Sequence, residues 1–169
     1  MHDQPQLRLR IRLMLIAFVI GLLLSGLTAF PLRWEINGLA RFMGATASDT
    51  AQTTHGLLQW VVRVREGLND GYGRYPFLAY GTDWLAFGHI VIALAFIGPL
   101  RDPVRNIWVI EWAMIACVGV IPLALICGPI RDIPFYHQLI DCSFGVVGIV
   151  PLWICRSWIV RLEKLTASC

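Results

Sequence analysis

Lysine is almost missing from this 169-residue chain: Lys164 stands alone beside thirteen arginines, and charged residues of both signs reach only 15%. Soluble domains carry about 25%, so a soluble globular enzyme is excluded first. The arginines are scattered, which leaves no basic patch of the kind nucleic acid requires. Nine prolines exclude a collagen-like repeat, and seven Trp with eight Phe exclude a disordered chain. Five cysteines, Cys117, Cys127, Cys142, Cys155 and Cys169, show no metal-ligand spacing and are too few for a disulfide scaffold. They are expected to be small, inert and buried. No P-loop, Gly-x-Ser-x-Gly, His-Glu-x-x-His or Rossmann fingerprint is present.

What the chain has in excess is apolar length. Hydrophobic residues make up 57% and the mean hydropathy is +0.64, which places it among polytopic membrane proteins. Leu13 to Leu32 runs without a charge, and at about 1.5 Å per residue such a run crosses roughly 30 Å of hydrocarbon. It exceeds the usual signal-peptide core of about 7–15 residues, so a retained signal anchor is expected over cleavage. Further spans are expected at 84–100, 106–130 and 139–160, giving an all-α bundle of four transmembrane helices in one membrane domain. Lys and Arg near span ends are retained in the cytoplasm. With the N-terminus inside, Arg8, Arg10, Arg12, Arg101, Arg105, Arg156, Arg161 and Lys164 are cytoplasmic. Arg33, Arg41, Arg63, Arg65, Arg74 and Arg131 are outside. Both termini are therefore assigned to the cytoplasmic face of a plasma (inner) membrane. Trp108, Trp112, Trp153 and Trp158 suit interfacial positions.

The outer loop, 33–80, is too short to form a domain of its own. Ala51 to Leu68 mixes Leu57, Leu58, Val61, Val62 and Val64 with Arg63, Arg65 and Glu66, the pattern of an amphipathic helix on the membrane surface. Asn69-Asp70-Gly71-Tyr72-Gly73 is expected to break it. The helix either seals the bundle's outer mouth or forms a lid with His55 reaching inward.

One short repeat is present: Gly98-Pro99-Leu100-Arg101-Asp102 recurs as Gly128-Pro129-Ile130-Arg131-Asp132. Gly ends a helix, Pro prevents its continuation, and Asp102 before Pro103 suits a helix start. Reuse of a tight turn explains these residues. It does not explain Glu111 and Asp141, each thirteen residues after its glycine and expected about two turns inside opposite faces of the bundle. An acid at membrane depth costs on the order of 3 kcal/mol and normally faces the bundle interior with a partner.

With the second span starting near Thr82 or Asp83, His89 falls at the depth of Asp141, and His137 lies one turn nearer the outside than Asp141. The expected outward-facing site joins His89, Asp141 and Glu111 as candidate catalytic groups with Arg131, His137 and Asp83 as candidate substrate-binding groups. Each also has a plainer role. Asp83 would cap its helix, His89 would be a packing residue, His137 and Arg131 would meet the interface, and Glu111 would pair with Arg105. Gly145 and Gly148, near Ser143, form a small-residue face suited to close helix packing.

The order of these features resembles the VanZ-like membrane proteins over about residues 83–150. The residues that carry the resemblance are Asp83 with His89, Arg131, Asp141, Gly145 and Gly148. It implies a four-helix bundle acting on lipid head groups at the outer membrane face. Membrane lipids, and other membrane subunits, are the expected partners. Three other functions fit the same residues: a haem- or metal-binding redox protein using His89 and His137, a small transporter or proton pathway, and a non-catalytic subunit of a membrane complex. No motif assigns a cofactor.

Overall fold

The computed structural model describes residues 3–167 and is 84% helical, with no strand among them. The elements in order are α1 (Asp3–Ala29), α2 (Leu32–Phe42), α3 (Gly56–Arg74), a 3₁₀ turn (Pro76–Leu78), α4 (Ala79–Ala95), α5 (Ile97–Arg101), α6 (Ile107–Ile130) and α7 (Phe135–Ala167). Four stretches are long and apolar enough to cross a membrane: Gln4–Ala29, Pro76–Arg101, Ile107–Ile130 and Phe135–Ala167. At most 22% of the residues in any of these windows are buried within the protein. Leucines and valines such as Leu123 and Val147 stand exposed along them, as lipid-facing residues do.

Contacts divide the chain into two compact units, one formed by 1–21 with 92–169 and the other by 22–91. In the first, α6 and α7 pack closely, and their crossing uses the expected glycine face. A side chain on Gly145 would run into the backbone carbonyl of Cys117, and one on Gly148 would come 3.0 Å from the Cys117 sulfur. The first turn of α1 meets the last of α7 through a hydrogen bond from Gln4 Nε2 to the Leu165 carbonyl (3.1 Å). Leu7, Ile11 and Leu15 of α1 are buried at this end, as are Val109, Ile110 and Ala113 of α6 and Leu152, Cys155, Ile159 and Leu162 of α7. Phe18 packs on Phe96 with ring centroids 5.1 Å apart. Of the cysteines expected to be buried, Cys155 is, Cys117 and Cys142 are half-buried and Cys127 is exposed; Cys169 lies outside the described residues.

The second unit contains a helical hairpin of α2 and α3. Leu32–Phe42 carries two arginines and a glutamate and reads as loop by composition, yet it is helical. Ile36 and Ala40, four residues apart, face Val61, Val62 and Leu58 of α3, which gives the segment a small core. Helix α3 begins at Gly56 and ends at Arg74, so the expected break at 69–73 does not occur. Each helical glycine costs about 1 kcal/mol relative to alanine. The exposed ion pair of Arg74 with Asp70 (2.7 Å) recovers only a small part of that cost, and the helix stops only before Pro76. His55 is exposed at the N-cap of α3.

The connection from α2 to α3 is folded onto α3 by a buried arginine. Arg65 donates to the backbone carbonyls of Thr46 (3.0 Å) and Asp49 (2.5 Å), while the Asp49 carboxylate accepts the Thr46 N–H at 2.7 Å. That backbone hydrogen bond, then the Thr46 side chain and the nearby Arg65 charge, hold the Asp49 carboxyl below its ordinary value of 3.8. A depressed carboxyl contributes stability above its unfolded pKa and loses it as pH falls through the folded one. Hydrogen-exchange protection of the Thr46 amide is therefore expected to persist at pH 5 and to fall only below pH 3.8. Asp49→Asn should abolish that pH dependence, and equal protection at pH 5 and pH 2.5 in the unmodified protein would contradict it.

Candidate functional site

The two copies of the Gly-Pro repeat make room for an amide. At the first, a Cβ on Gly98 would meet Asn106 Oδ1 at 3.1 Å, and Asn106 Nδ2 donates to the carbonyls of Gly98 (3.2 Å) and Asp102 (2.9 Å). At the second, a Cβ on Gly128 would meet buried Gln138 at 2.6 Å, and Gln138 Nε2 donates to the Ile133 carbonyl at 2.7 Å. The prolines do not stop the helices at once, since Pro99 and Pro129 each lie inside the last turn. The copies then diverge. Asp102 is extended and its carboxylate accepts the Arg105 N–H (3.1 Å), whereas Asp132 adopts φ +54°, the left-handed region that aspartate tolerates better than most residues. Glycine, amide and the left-handed aspartate together account for the α6–α7 turn.

Three further polar residues lie at that turn and on the first turns of α7. Arg131 ends α6, and its exposed guanidinium has no protein acceptor among the described residues. His137 lies on the first turn of α7, and its Nε2 is 3.8 Å from Asp141 Oδ1, both side chains being 37% exposed. That distance is an ionic approach rather than a direct hydrogen bond. Asp141 is six residues into α7, about 9 Å along the axis, near the expected two turns.

Other expected members are placed differently. Helix α6 begins at Ile107 rather than near Pro103, so Glu111 is one turn inside, and its carboxylate pairs with Arg156 Nη2 (2.8 Å) and Nε (2.9 Å) rather than with Arg105. Helix α4 begins at Ala79, not at Thr82 or Asp83. Asp83 therefore lies in the second turn and does not cap the helix. His89 falls ten residues in, about 15 Å, which removes the helix start on which its depth match with Asp141 was based. Its Nδ1 hydrogen-bonds the Leu85 carbonyl at 2.9 Å, and its Cβ fills the space beside Gly26, where an added Cβ would approach to 2.7 Å. His89 thus has the packing role in its own unit. Among the described residues no three His, Cys, Asp or Glu side chains gather as a metal site.

Sequence reasoning missed the polar groups of α2 and α3. Asn37 and Asn69 exchange hydrogen bonds (3.2 and 3.1 Å), and Arg33 Nε donates to Asn69 Oδ1 at 2.8 Å. Arg33, Asn37 and Arg41 recur every four residues, a helical signal present in the sequence but hidden by reading the segment as loop.

Comparison with protein-family models, curated proteins and solved structures finds no match for this chain.

Proposed function

We propose that the protein is an inner-membrane protein with both termini in the cytoplasm that binds a lipid-like anionic head group at the α6–α7 turn. The observation that carries this reading is the exposed Arg131, whose guanidinium has no protein acceptor among the described residues, at the turn that leads into His137 and Asp141. A guanidinium meets a phosphate or carboxylate with two parallel hydrogen bonds. His137 supplies a second donor, with the Asp141 carboxylate one turn further along α7 at ionic distance from its ring. The resemblance to VanZ-like proteins supports the same substrate class. The α2–α3 hairpin, with Trp34 and Phe42 among its exposed apolar residues, belongs in this reading to the outer membrane surface.

The test is the lipid phosphate retained by protein purified in mild detergent. Arg131→Lys keeps the charge and removes the fork. It is expected to preserve the melting temperature while lowering bound anionic lipid about tenfold, the equivalent of about 1.4 kcal/mol. Unchanged lipid retention would overturn the assignment.

A further inference from the structure

A groove of about 610 Å³ lies along α2 and α3, within the size range of small-molecule sites, roughly 300–1,000 Å³. Its polar wall is Arg33, Asn37 and Arg41 of α2 with Asn69 and Tyr72 of α3, and no carboxylate lines it. Arg33, Asn37 and Arg41 share one helical face because they are four residues apart. The two amides satisfy each other, and Asn69 Oδ1 takes the Arg33 Nε–H. That contact fixes the plane of the guanidinium. Its two terminal nitrogens have no protein acceptor among the described residues, and neither has the Arg41 guanidinium, although both side chains belong to exposed residues.

The lower wall gives the depth. Phe30 and Pro31 follow α1 directly, and Ala79 is the first residue of α4, so the groove opens where one apolar helix ends and another begins. Trp34 also lines it and is 78% exposed, an indole suited to the head-group layer.

We infer that this groove binds the phosphodiester head group of an anionic membrane lipid, held by the terminal nitrogens of Arg33 and by Arg41, with Trp34 against the glycerol region. The site is confined to one unit and does not rest on the reading of Arg131.

Native mass spectrometry of the delipidated full chain, titrated with dioleoyl-phosphatidylglycerol or dioleoyl-phosphatidylcholine, tests it. With the α6–α7 turn weakened by Arg131→Lys as the common background, the groove is expected to take up one phosphatidylglycerol at least tenfold more tightly than phosphatidylcholine. In that background Arg33→Gln/Arg41→Gln should lose the preference, whereas Arg63→Gln, an exposed arginine of α3 outside the groove, should keep it. Because Arg33 also supports the hairpin, Arg41→Gln alone provides the variant that leaves every described hydrogen bond intact, and a partial loss is expected. Undiminished preference in the double variant would overturn the site. Displacement of the lipid by millimolar inorganic phosphate, with equal binding of both lipids, would assign the groove to free phosphate and overturn the lipid assignment.

Discussion

Gly145→Leu is expected to abolish accumulation of the folded protein, and Gly145→Ala to cost about 1–3 kcal/mol, the range for overpacking a close contact. The reason is local. A Cβ at Gly145 would run into the carbonyl oxygen of Cys117 in α6, and a backbone carbonyl inside a helix cannot swing away as a side chain can. Alanine in place of helical glycine would otherwise gain about 1 kcal/mol, so the clash must exceed that gain for the expected sign to appear. Gly119→Ala, in the facing helix α6, gives the comparison, because nothing lies within 4 Å of its Cβ position. It should melt at or above the wild-type temperature in detergent. Equal melting of Gly145→Ala and wild type would mean that the α6–α7 crossing is looser than described.

The spans were legible because apolar runs of this length have few alternatives, and the Gly145–Gly148 face was legible because small residues at helical spacing announce close approach. The outer segment was less so. Its helices are stabilised by a few apolar contacts across the hairpin, Ala40 and Ile36 with Val61 and Val62, which composition along the chain does not display. Glycine count suggested a break at Gly71 and Gly73, whereas the helix continues to the residue before Tyr75 and Pro76. The site was legible only where partners are neighbours in sequence. His137 and Asp141 are one helical turn apart and do approach, but Glu111 chose Arg156 over nearby Arg105, a pairing across 45 residues. The position of His89 was misjudged for a third reason: helix starts are the least certain feature of a sequence reading, and three or four residues amount to about one turn.

Removal of one partner from the Glu111–Arg156 pair should destabilise more than removal of both. The guanidinium places two nitrogens on one carboxylate oxygen, at 2.8 and 2.9 Å. Breaking a fully buried pair typically costs 3–5 kcal/mol, because the survivor is left uncompensated. The Arg156 and Glu111 side chains are 45% and 43% exposed, with Glu111 about one turn inside α6 and Arg156 on α7, so about 1–3 kcal/mol is expected for Glu111→Leu or Arg156→Leu. Glu111→Leu/Arg156→Leu leaves no stranded charge and suits an apolar surrounding. Its melting temperature should exceed that of either single variant, giving a coupling energy within the usual 0.5–3 kcal/mol of neighbouring residues. Strictly additive losses would show that the two charges act independently and that water, not hydrocarbon, surrounds them.

The meeting of the first turn of α1 with the last turn of α7 also sets an order of events during synthesis. Leu7, Ile11 and Leu15 are made early, yet α7 supplies Leu152, Cys155, Ile159 and Leu162 to the same end of the unit roughly 140 residues later. At about 5–20 residues per second, that interval lasts roughly 7–28 s. The other unit, ending at Val91, has its whole sequence available well before then. One helix therefore serves two clocks: the last two turns of α1, from Leu22 on, can settle while the longer part before them still waits for the end of the chain.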